Sequence, residues 1–122
     1  MGKVTVLQPL EQVRWDCAVV SAPAGRAEEL ARGDTMDFLA LELARVALAY
    51  RDARFDRLRR AAGRVAELSS DARLDRMALV ARTVVALAGG RDEIALAANV
   101  ARLDRLGDAT LCVIWSVREP LC

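Results

Sequence analysis

The residues best placed to do chemistry in this chain are arginines. Arg51, Arg54, Arg57, Arg59, Arg60 and Arg64 fall within fourteen residues, offset by Asp52 and Asp56. Arg57, Arg60 and Arg64 recur at three-four spacing, which places them on one face of a helix as a basic stripe. Guanidinium groups bind anions through planar, forked donors and do not give up a proton. A plain solvated face is the default reading of such a stripe; the chemistry it offers beyond that is recognition of carboxylate or phosphate carried by a partner.

Catalytic chemistry finds little support. The chain has no histidine, which removes the commonest general base, the commonest zinc ligand and any Ser-His or Cys-His nucleophile pair. The acidic pairs Glu28-Glu29 and Asp92-Glu93 sit at expected helix starts, where negative charge is favoured on electrostatic grounds alone. Gly89-Gly90 lacks the spacing of a phosphate loop. Cys17, Cys112 and Cys122 are odd in number and widely spaced, so neither a zinc site nor a disulfide framework follows. Two buried thiols, Cys17 and Cys112, and an exposed terminal one, Cys122, in a reducing cytosol are expected. No catalytic residue, metal ligand or cofactor is assigned, and the chain is read as a non-enzyme.

The composition indicates what positions the arginine stripe. The hydrophobic share is 54%, yet aromatics are only 4%, so the core must be built from Ala, Leu and Val, a helix-favouring set. One hundred and twenty-two residues suit a single domain, 1–122. Net charge is +1, which points away from nucleic acid and from a membrane surface. Arginine supplies every basic residue but Lys3, a usage typical of GC-rich bacterial genomes. The start of the chain does not read as a signal peptide, and no apolar run approaches the ~20 residues of a membrane span. A cytoplasmic location is expected.

The spacing predicts a mainly α fold, an up-down bundle of four helices over 34–117. It follows an N-terminal segment, 1–25, whose alternating runs Lys3–Leu7 and Val13–Ser21 allow a small β-hairpin. Arg26–Arg32 can form a short helix. Asp34 or Thr35 can cap the first long helix. Met36, Leu39, Leu43, Val46 and Tyr50 are its core stripe, and Leu41 and Leu48 lie off that stripe as a second apolar edge, facing either another helix of the bundle or a second copy of the chain. Phe55, Leu58, Ala62 and Val65 form the buried stripe of the next helix, which ends near Ser69-Ser70-Asp71. Asp71–Gly107 then reads as a helical hairpin turning at Gly89-Gly90. Its first helix is apolar on nearly every side, the pattern of an interior helix. Leu96, Val100, Leu103 and Leu106 are the stripe of the second, which Gly107 closes. For Asp108–Val117, helix is favoured over strand. Trp15 and Trp115 are expected as core anchors.

A hexad recurs as Ala53–Leu58, Ala72–Met77 and Ala101–Leu106. The offsets of 19 and 29 exclude a solenoid. The reading is one amphipathic solution used three times, with the third and sixth residues facing the core.

The helix order from Asp34 to Val117 resembles a histidine-containing phosphotransfer domain, a four-helix bundle of bacterial two-component signalling. The resemblance covers about two thirds of the chain. It is carried by Leu58, Ala61-Ala62-Gly63 and Leu74, then the central helix, the Gly89-Gly90 turn and Arg105-Leu106-Gly107. It implies a docking surface for a receiver domain or a kinase. The phospho-accepting histidine of the family is missing, however. The corresponding stretch is Arg59-Arg60-Ala61-Ala62-Gly63-Arg64, and arginine cannot accept and pass on a phosphoryl group. The resemblance thus implies an adaptor that docks without relaying phosphate, using Arg57, Arg60 and Arg64. Two other functions fit the same bundle. One is a self-associating structural protein with Leu41 and Leu48 in its dimer contact; the other is a bundle that binds a small molecule in an apolar pocket.

Overall fold

In a computed structural model of the chain, the described residues are 33–118, with side chains described as far as Ser116. The N-terminal hairpin, the short helix at 26–32, Trp15, Cys17 and Cys122 lie outside them. Four helices follow one another: α1 (Thr35–Arg51), α2 (Phe55–Asp71), α3 (Asp75–Leu87) and α4 (Glu93–Arg118). The connections are short, so neighbours in sequence run antiparallel. α1 packs on α2, α2 on α3, α3 on α4, and α4 closes the ring against α1. This is the up-down four-helix bundle that the apolar spacing predicts.

The core is the aliphatic one that the composition requires. Met36, Leu39 and Val46 of α1 are buried with Leu58, Ala62 and Val65 of α2. Met77, Ala81 and Val84 of α3 meet Leu96, Val100 and Leu103 of α4 in the same cluster. Several expectations change. Phe55 is 38% exposed and does not belong to the buried stripe of α2. α3 is not enclosed, because a four-membered ring has no central helix. Its Leu79 is 56% exposed, and Arg82 faces solvent.

The turns explain the recurring hexad. After α1, the Ala53 N–H donates to Tyr50 O at 3.1 Å and the Arg54 N–H to Ala49 O at 2.9 Å. After α2, Arg73 donates to Ser70 O at 3.1 Å and Leu74 to Ser69 O at 2.8 Å. Both are Schellman ends, which need a residue in the left-handed region. Ala53 (φ 55°) and Arg73 (φ 61°) occupy that position. Two copies of the hexad therefore lie at helix–turn–helix junctions, while the third lies inside α4. The core-facing rule holds for Leu74, Met77, Leu103, Leu106 and Leu58 but fails at Phe55. Ser69-Ser70-Asp71 ends α2 as expected, but the next helix opens at Asp75 after this turn rather than at Asp71.

At the start of α1 the Asp34 side chain makes no capping bond; its carbonyl instead accepts from the Asp37 and Phe38 N–H groups. Asp92 does cap α4, its Oδ1 accepting the Ala95 N–H at 3.0 Å. Gly107 does not close α4. The helix runs on to Arg118, so Asp108–Val117 is helical and continuous with it, and Asp108 opens no new helix. Packing is the reason. A Cβ at 107 would come within 2.7 Å of Leu43 Cδ1, so this glycine lets α4 approach α1. The outer face of the extension carries Cys112 and Trp115, and Trp115 is 49% exposed. Neither is the buried residue that the sequence leads one to expect, because Leu111 and Ile114 take the inward positions.

Candidate functional site: an arginine-lined groove between α1 and α2

Arg57, Arg60 and Arg64 project from α2 on its exposed side, as their spacing predicts. They do not stand on an open face. α1 runs alongside, and the two helices enclose a groove of about 450 Å³. Arg54, at the turn, and Arg45, on α1, complete a set of five guanidinium-bearing residues around it, against the carboxylates of Glu42 and Asp52. Asp52 lies within 3.5 Å of Arg51.

Glu42 lies beneath the arginines. It is only 4% exposed, which is costly for a carboxylate unless it is paired. The Arg45 Nη1 donates to Glu42 Oε1 at 2.8 Å, and Arg64 Nε lies 3.7 Å from Glu42 Oε2. Oε2 is buried and has no hydrogen-bond partner. The buried acid thus draws two guanidinium groups from different helices toward the middle of the groove, while both arginine side chains stay more than half exposed.

Leu48 lines the same groove, and Leu41 lines its continuation along α1 with Phe38, Glu67 and Leu68. Glu42, Arg45 and Arg64 belong to both halves. The two sets of residues singled out in the sequence, the basic stripe and the second apolar edge, therefore meet along one surface. Leu41 and Leu48 are 48% and 49% exposed, and Phe38 is 57% exposed; no second helix of the bundle covers them.

Arg59 leaves the cluster. Its Nη2 donates to Ala88 O at 2.7 Å, across to the end of α3, where Gly89 turns the chain at φ 77°. It holds the bundle together and contributes nothing to the groove. Glu42 and Arg45 were missed by sequence reasoning, yet Leu39, Glu42, Leu43 and Val46 share one helical stripe. An acid on a core stripe was the available signal.

The groove offers charged side chains on an aliphatic floor. Its lining consists of the carboxylates of Glu42 and Asp52, five guanidinium groups, and Leu48, Ala49 and Ala61. Among the described residues no cluster of His, Cys, Asp and Glu could hold a metal ion, and no helix is long and apolar enough to cross a membrane. The Asp104 carboxyl on α4 is raised above the ordinary carboxylate range by partial burial and then by the neighbouring Asp108; it does not line the groove. No protein-family profile, no curated protein and no solved structure matches this chain.

Proposed function

We propose that this protein is a non-catalytic binding module that docks an acidic protein partner on the α1–α2 face. The observation that carries this reading is the convergence of Arg45, Arg54, Arg57, Arg60 and Arg64 on one groove. Exposed arginines scattered over a surface contribute little. Five around one concavity form a field that steers an acidic partner and favours it over neutral ones.

The narrower form of the proposal is an adaptor of bacterial two-component signalling, located in the cytoplasm, that resembles a phosphotransfer domain without its histidine. An antiparallel four-helix bundle is consistent with it, and the stretch Arg59–Arg64, which would correspond to the family's phospho-acceptor region, lies on α2. The partner would then be a receiver domain, presenting the acidic rim around its phosphorylation site.

The test is titration of the protein with a panel of receiver domains, in the wild type and in Arg57→Glu/Arg60→Glu/Arg64→Glu. Binding to at least one receiver, abolished in the variant while its helical circular dichroism is unchanged, is the expected result. Equal binding by both proteins would refute the assignment of the face. Failure of every receiver to bind would remove the signalling reading.

A further inference from the structure

We infer that the α1–α2 groove is built for an amphipathic α-helix carrying acidic residues along one flank. This inference rests on the α1–α2 face being the partner surface, and it specifies what sits there. The α1 wall carries an exposed apolar line beside Arg45. Phe38, Leu41 and Leu48 lie three and seven residues apart, on a single line along α1, and each is about half exposed. The α2 wall is basic beside Leu48, with Arg57, Arg60 and Arg64, and carries Arg64, Glu67 and Leu68 beside Phe38 and Leu41. A ligand covering the apolar line, about 15 Å long at 1.5 Å per residue, and meeting the arginines is therefore apolar along one side and anionic on the flank that reaches Arg57, Arg60 and Arg64. An amphipathic helix of three to four turns has that cross-section, with apolar anchors at i, i+3 and i+7 and acids on the adjoining edge.

Charge and hydrogen bonding disfavour other occupants. A β-strand would find no partner, because both walls are helices whose backbone groups are already bonded internally. A nucleic acid would satisfy the arginines but would set sugar and phosphate against Phe38, Leu41 and Leu48. A second copy of the chain paired through the same face would bring one arginine stripe against another, a like-charge contact. An acidic helix covers the apolar line and neutralises the basic one together.

The experiment uses the full 122-residue chain and a fluorescein-labelled designed helix of about 16 residues, with leucines at i, i+3 and i+7 and glutamates on one flank. Controls carry lysine for glutamate, or serine for leucine. Binding is followed by anisotropy with wild type, Leu41→Ser/Leu48→Ser and Arg57→Glu/Arg60→Glu. The last variant leaves the Arg64–Glu42 contact in place and keeps the test usable if the triple reversal fails to fold. The acidic amphipathic peptide should bind the wild type and neither control peptide should. Each variant should weaken binding roughly tenfold or more, the loss expected of an anchor residue.

If the arginine variant loses binding and the leucine variant does not, the groove takes acids without an amphipathic helix. The inference then falls while the proposed function stands. If no peptide binds but a receiver domain does, the inference falls in the same way. Binding of a single-stranded oligonucleotide that is insensitive to the leucine variant would identify a nucleic-acid surface and overturn both. A dimer in sedimentation that dissociates in Leu41→Ser/Leu48→Ser would overturn the inference in favour of self-association.

Discussion

Replacing Ala53 and Arg73 with glycine should stabilise the protein, although alanine-to-glycine changes ordinarily weaken helical proteins. Both residues sit in the left-handed region, at φ 55° and 61°. There an L side chain costs roughly 1–2 kcal/mol because Cβ crowds the following carbonyl. Glycine removes that cost but adds unfolded-state freedom worth about 0.4–1 kcal/mol. The net gain is about 0.5–1 kcal/mol per site. Neither residue is buried, so no packing is lost. The two turns lie at opposite ends of α2, 17 residues or about 25 Å apart, so the gains should add. Urea denaturation should show a higher midpoint at unchanged slope for each single variant. The double variant should gain about 1–2 kcal/mol, by summing the two site estimates. A lower midpoint in both single variants would mean that these turns do not hold the Schellman geometry, and the positions of the four helices would need revision.

Arg59→Ala should lower stability by about 1–2 kcal/mol in the same denaturation, since a guanidinium bond to a backbone carbonyl is lost at the end of α3. Gly63 has no neighbour within 4 Å of an added Cβ, so Gly63→Ala should raise stability by about 0.5–1 kcal/mol through helix propensity. Gly107→Ala makes the same nominal gain but places its Cβ 2.7 Å from Leu43 Cδ1; calorimetry should find it melting below Gly63→Ala. Asp104→Asn should raise Tm at pH 7 and leave it unchanged near pH 3. The folded carboxyl holds its proton more tightly than the unfolded one, so this group's contribution to stability is full at low pH and is lost as pH rises through the folded pKa. Equal Tm differences at both pH values would contradict this.

Much of the bundle was legible because its cause is periodic. Met36, Leu39, Leu43 and Val46 declare the buried side of α1, and Met77, Ala81 and Val84 that of α3. What the spacing could not give was tertiary. Gly107 has the composition of a helix end, and only the Leu43 side chain pressed against it shows that it serves packing instead. The α1–α2 junction carries no glycine to mark it, and the turn there depends on Ala53 taking the left-handed region. Trp115 is large and apolar, but its register on α4 places it outside Leu111 and Ile114.

The candidate site divides in the same way. The stripe Arg57, Arg60 and Arg64 follows from helical spacing within one segment. That Leu48 and Arg45 join it depends on how α1 lies beside α2, which no local pattern encodes. Arg59 belongs to the same cluster in sequence and leaves it in space to reach Ala88 O.

The most direct test of the partner face is a chemical-shift map of the ¹⁵N-labelled protein titrated with the acidic amphipathic peptide. Perturbations concentrated at Leu41, Arg45, Leu48, Arg57, Arg60 and Arg64 are the expected result. Perturbations confined to α3 and the outer side of α4, around Leu79 and Trp115, would place the partner elsewhere and contradict the account.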